Sequence, residues 1–65
     1  MLGAGYANRV FDFRNDNKIS RNMLATLLQV SPSNIAKVES GEQIPSQEWW
    51  DKFLYLEQHY NNYNR

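Results

Sequence analysis

A chain of 65 residues, 42% of them hydrophobic, makes one small domain that buries only about 60% of its unfolded surface, which leaves room for one core and one job. It has no cysteine, which excludes disulfides and thiolate metal sites and fits a reducing compartment. Seven basic and seven acidic residues cancel, yet residues 1–38 carry a net +3 and residues 39–65 a net −3; either a basic part meets phosphates while an acidic part faces away, or the split is chance in so short a chain.

The N-terminal "MLGAGYANRVF" lacks the basic start and apolar core of a signal peptide. The longest apolar stretch, "MLATLL", is far too short to span a bilayer. A soluble, cytoplasmic protein without a membrane partner is therefore expected.

No alternation of polar with β-branched or aromatic residues persists, so no strand is predicted. A first helix is expected from about Tyr6 to Arg14 with Val10 and Phe13 on one face, ended by "NDNK", where Asn tolerates the left-handed cap conformation. Ser20 caps a second helix, Arg21 to Leu28, whose Leu24, Leu27 and Leu28 form one stripe beside Ala25. Gln29 and Val30 make a tight break. Ser31 caps a third helix, Pro32 takes its first position, where the missing N–H costs nothing, and Gly41 lies just past its end. "EQIPS" is the next connection. Ser46 caps a last helix, running to about Tyr60, with Glu48 and Asp51 near its positive end. The polar tail 61–65 should fray.

Two short helices joined by a turn, the second with a polar outer face, form a helix-turn-helix arrangement. The stretch "ISRNMLATLLQVSPSNIAKVESGEQIPS" resembles the lambda-repressor-like, Cro or xenobiotic-response-element type of DNA-binding domain. Ala25 at the helix crossing, Val30 in the turn, the Ser31 cap, core residues Ile35 and Val38, then Glu39, Gly41 and Pro45-Ser46 carry the likeness, which covers roughly residues 10–54. The chain departs from that pattern at Gln29 and Lys18, where Gly is frequent. It also shows no break between Gln47 and Tyr60, where the family has two short helices. The resemblance implies an all-α, compact four- or five-helix domain spanning residues 1–65 and binding double-stranded DNA.

On a wheel of about 100° per residue, Ile35, Val38 and Glu39 of the third helix cluster inward and Ser33, Ala36, Lys37 and Ser40 outward. That outer face is small and hydrogen-bonding, as entry into a major groove requires; the alternative is a plain solvated helix. The base-reading positions of the family fall on Pro32, Ser33 and Lys37, with Ala36 alongside. Lys37 can donate to guanine, Ser33 can donate or accept, and Pro32 and Ala36 can meet a thymine methyl. Asn34 lies at the edge of the face, in reach of adenine or, better, a phosphate. The resemblance also implies phosphate contacts from Arg21, Ser40 and Gln43, with Arg9 a weaker candidate. It pairs Arg14 with Glu39 as a buried or half-buried ion pair, in preference to a direct DNA contact.

In "EWWDKFLYLEQHY", Trp50, Phe53 and Leu54 suffice to fill a core, which leaves Trp49, Tyr55 and Tyr60 for a dimer or partner surface. His59 is alone, and "GAG" at residues 3–5 follows no strand. Neither a metal, a cofactor nor catalysis is expected. The implied function is transcriptional regulation by a small repressor, a phage Cro-type regulator or a plasmid or toxin-linked autorepressor, bound as a homodimer to an inverted-repeat operator. The rival is a protein-binding module or antitoxin that uses the aromatic last helix.

Overall fold

The computed structural model describes residues 3–63, with side chains as far as Tyr60. Four helices follow in order: α1 (Ala4–Asp16), α2 (Arg21–Leu28), α3 (Pro32–Glu39) and α4 (Gln47–Tyr63). There is no strand among the described residues. The last helix is one continuous rod, so the four-helix alternative holds. Of the tail 61–65 expected to fray, residues 61–63 instead continue α4, and residues 64 and 65 lie outside the described residues.

Serines start three of the helices. Ser20 Oγ accepts from the Met23 N–H at 3.0 Å, Ser31 Oγ from the Asn34 N–H at 3.1 Å and Ser46 Oγ from the Trp49 N–H at 3.2 Å. Each satisfies a donor that the first turn of a helix leaves unpaired. α1 begins at Gly3 with no side-chain cap. A Cβ on Gly3 would lie 3.2 Å from the Gly41 carbonyl oxygen, so the start of α1 packs directly on the turn that ends α3.

The same device ends α1, α2 and α3. Ile19 N–H reaches the Arg14 carbonyl, Val30 N–H that of Ala25 and Glu42 N–H that of Lys37. The residue before each donor, Lys18, Gln29 and Gly41, has φ of 56°, 60° and 82°. This double-bonded ending requires a left-handed residue, and glycine is its usual occupant. Only the third ending has one. Lys18, and not an Asn of "NDNK", takes the left-handed position after α1; Asn17 stays at φ −98° and donates its Nδ2 to the Phe13 carbonyl instead.

Val10 and Phe13 of α1, Ile19, Leu24, Ala25 and Leu28 of α2 and its approach, Ile35 and Val38 of α3, and Trp49, Phe53, Leu56 and Tyr60 of α4 form one core. Phe13 meets Phe53 and Tyr60 edge-on at 5.4 and 5.6 Å between ring centres, a geometry aromatic rings favour. Trp49 and Tyr60 are each 6% exposed, which corrects their assignment to a partner surface. Residues 49, 53, 56 and 60 recur at four- and three-residue spacing, so one helical stripe carries all four inward. Trp50 and Leu54 lie beside that stripe and are half-buried. Of the three aromatics expected at a partner surface, Tyr55, at 60%, is the one that is exposed.

Gln29→Gly should relieve a left-handed cost of roughly 1–2 kcal/mol while losing about 0.5–1 kcal/mol to backbone entropy, for a net gain of about 0.5–1 kcal/mol. Gln29→Val, β-branched, should lose stability. Urea denaturation midpoints check both; a Gly variant no more stable than the wild type would show that the turn carries no such cost.

Candidate nucleic-acid interface

Ala25 of α2 is buried in the core, and Val30, in the turn between α2 and α3, packs against it. Ile35 and Val38 anchor α3 to the core. Its opposite face then has to point to solvent: Pro32, Ser33 and Lys37 are exposed and Ala36 is half-buried. These are the four positions expected to read bases. Among the described residues Lys37 takes part in no ion pair, so its ammonium is free to meet an acceptor.

Two interactions fix how that face is held. At the C-terminal end of α3, Glu39 accepts from Arg14 Nε at 2.8 Å and Arg14 Nη2 at 3.2 Å. Arg14 Nη1 also donates to the Ile19 carbonyl at 3.3 Å, and its guanidinium lies 5.7 Å from the centre of the Phe11 ring. The structure thus brings Arg14 and Glu39 together as a two-bonded fork, with side-chain exposures of 18% and 6%. Arg21, expected to hold a phosphate, also donates Nε to Glu39 at 3.2 Å. Its side chain is 56% exposed, so the rest of its guanidinium faces solvent at the start of α2.

At the N-terminal end of α3, the Trp49 indole Nε1 donates to Asn34 Oδ1 at 2.6 Å. Asn34 is half-buried. Half of its amide is therefore committed to the fold, which narrows what a phosphate or base could take from it.

The remaining positions diverge. Ser40 Oγ lies 3.0 Å from the Lys37 carbonyl oxygen and 2.8 Å from Glu42 Oε2, with one proton to donate to either, so a carboxylate stands beside the hydroxyl expected to meet a phosphate. Gln43 is exposed, and its backbone N–H reaches the Lys37 carbonyl at 3.3 Å. Arg9 is turned to α4: its Nε and Nη2 hold Glu57 at 3.1 and 2.7 Å, and it lies 5.9 Å from the Trp50 ring centre. The Glu57 hydrogen bond and then its charge raise the Arg9 pKa above the ordinary value. Arg9 is thereby engaged as a strut between α1 and α4.

Sequence reasoning missed Trp49–Asn34, Arg21–Glu39 and Arg9–Glu57. The last pair is 48 residues apart, a separation at which no periodic pattern operates. The Trp49 contact carried a signal in the wheel position of Trp49, which already directed it inward.

Among the described residues no group of His, Asp or Glu is placed to hold a metal, and no helix is long and apolar enough to cross a membrane. A family model described as helix-turn-helix matches residues 11–49, well over half of the chain. The chain belongs to the helix-turn-helix family. Within it the type is lambda-repressor-like, or XRE, with an all-α fold, and the family is one of DNA-binding regulatory domains. No curated protein and no solved structure matches the chain. The helix-turn-helix match begins at Phe11, takes in Arg14, all of α2 and α3 and Glu39, and stops at Trp49 in the first turn of α4.

Arg14→Met should leave the Glu39 carboxylate with Arg21 alone, which places the loss near the lower end of the roughly 3–5 kcal/mol that a broken buried pair costs. Arg14→Met with Glu39→Leu should recover most of it. A double-mutant cycle by urea denaturation checks this, and strictly additive losses would show that the two residues are not coupled.

Proposed function

We propose that this helix-turn-helix protein binds a specific double-stranded DNA site with α3 in the major groove and represses transcription by occluding a promoter, as a small autorepressor of phage, plasmid or toxin-linked type. The observation that carries this is the outer face of α3: Pro32, Ser33 and an unpaired Lys37 exposed together on a helix pinned at both ends. Arg21 supports it, since one nitrogen on Glu39 leaves others for a phosphate. Contacts of that kind position the helix, while Ser33 and Lys37 supply sequence preference.

One reading helix covers only a few base pairs, so a single copy selects poorly among genomic sites. A two-fold dimer on an inverted repeat doubles the contacts, with half-site centres about 34 Å apart. Tyr55 is the aromatic left for such an interface. It borders an open groove with Leu27, Gln29, Asp51, Lys52 and Leu56. Asp51 and Lys52 are adjacent and opposite in charge, and a two-fold axis nearby sets each against the other's counterpart in the second copy. A toxin or other protein partner on α4 draws on the same Tyr55 but loses Trp49 and Tyr60 to the core.

The test is a mobility shift with fragments from upstream of the protein's own gene, followed by footprinting. Arg21→Ala should weaken binding to all sequences and lower the salt slope by about one unit. Lys37→Ala should relax preference at one base pair by about 1–3 kcal/mol. Equal effects of Lys37→Ala on specific and random DNA would remove it from the reading set.

For the dimer, Tyr55→Glu should stay folded and lose operator binding. Light scattering that shows a monomer at high concentration, with footprints of a single asymmetric half-site, would exclude the dimer.

A further inference from the structure

Asn34 is the one residue of α3 whose side-chain amide is held by another helix. The Trp49 indole N–H can only donate, so the amide atom that meets it at 2.6 Å has to be the oxygen. The indole has little freedom to turn away: Trp49 is 6% exposed, its ring lies 5.9 Å from that of Phe53, and its backbone N–H is held by Ser46. Oδ1 therefore faces inward, toward α4. Nδ2 has no acceptor among the described residues, and no buried side-chain nitrogen or oxygen is left unpaired. The amino group consequently reaches solvent, on the flank of the face that carries Ser33 and Lys37.

We propose that Trp49 is a positioning residue for DNA recognition, fixing Asn34 as a one-way hydrogen-bond donor whose amino group meets an acceptor on the DNA. This rests on the DNA-binding function proposed above and goes beyond it. An asparagine that reads adenine turns both halves of its amide to the base edge, accepting from N6 while donating to N7. With the oxygen drawn toward a buried indole, that two-bond contact is closed to Asn34. What remains is donation alone, to a phosphate oxygen or to an acceptor on a base edge such as guanine O6 or N7. Trp49 thus sets, from inside the core, which DNA atoms Asn34 can meet, touching no DNA itself.

The constraint also separates a positioning role from a packing role. If Trp49 only fills space, its removal changes stability and leaves the order of preferred sequences untouched. If it orients Asn34, releasing the amide changes which acceptors and donors that position tolerates.

The experiment titrates the 15N-labelled protein with the duplex found upstream of its own gene and follows two side-chain signals. The Asn34 amino protons should shift strongly at saturation, while the Trp49 indole proton should stay hydrogen-bonded and slow to exchange. An Asn34 amino signal that does not move overturns the proposal. So does a Trp49 indole bond that opens on binding.

Binding of wild type, Asn34→Ala and Trp49→Phe is then compared on duplexes with single base-pair changes and single methylphosphonates. Asn34→Ala should lose about tenfold in affinity, the scale of one lost hydrogen bond of about 1.4 kcal/mol. It should also become indifferent to one modification that weakens the wild type. A methylphosphonate in that role identifies a phosphate contact, and a base-pair change identifies a base edge. Trp49→Phe should alter the preference at that same position. Unchanged affinity in Asn34→Ala, or an unchanged profile in a folded Trp49→Phe, overturns the proposal while leaving DNA binding intact. Failure of the wild type to bind any DNA overturns the function and this inference together.

Discussion

Glu39 carries a charge almost out of water, at the end of α3 where the helix dipole is negative. Both facts make the carboxylate unfavourable there: desolvation of a single ion costs several kcal/mol even after relaxation, and an acidic group at a helix C-terminus opposes the dipole. Arg14 and Arg21 offset the two costs at once. Because one comes from α1 and the other from the start of α2, the requirement to neutralise Glu39 fixes three helices relative to each other. The same guanidinium of Arg14 reaches the Ile19 carbonyl, which binds the α1–α2 connection into the cluster. Trp49 and Asn34 do for the N-terminal end of α3 what this cluster does for its C-terminal end, and α4 is thereby joined to α3 as well.

A domain this small has little core with which to hold irregular backbone. It nevertheless places Lys18 and Gln29 in the left-handed region, where side chains with a Cβ are disfavoured. The compensation is local and can be counted in bonds. Each of the first two helix endings closes two backbone hydrogen bonds across the left-handed residue, and each is followed by an apolar side chain, Ile19 or Val30, that packs against the core. The bend between α2 and α3 is therefore set by hydrogen bonding and packing on either side of Gln29, with no help from the identity of Gln29.

Much of the architecture is legible in the residues themselves. Serine caps, Pro32 at the first turn and Gly41 past the last mark α2 and α3, because these residues satisfy or avoid particular backbone groups. The family is readable for the same reason: its signature consists of spaced residues with backbone or packing duties. The outer aromatic surface was less readable. Trp49, Phe53, Leu56 and Tyr60 fall within about 60° of one another on a wheel of 100° per residue, and Trp50 and Leu54 fall outside that arc. A rich supply of aromatics in α4 hides this phase unless each residue is placed on the wheel. Polar partners are harder still. Nothing in the spacing of Arg9 and Glu57 shows that they meet, and nothing in Arg21 shows that it shares the carboxylate of Arg14.

The ion pairs also bear on how such a chain can bind DNA at all. Zero formal charge means that association gains little from the long-range field, and the cations that the first half of the chain supplies are partly spent. Arg9 is held by Glu57, and Arg14 with Arg21 by Glu39. Affinity that arises from releasing counterions scales with the number of phosphates neutralised, and Arg9, Arg14 and Arg21 each already hold a carboxylate. On the proposed function, binding strength then comes from close contacts on α3, which depend on exact placement of short side chains and fall off quickly when the helix shifts. The rigidity conferred at the two ends of α3 is what such a surface needs. On the proposed function, buried charge and a buried indole, which contribute nothing to attracting DNA from a distance, are thus the means by which a nearly neutral protein recognises it at contact.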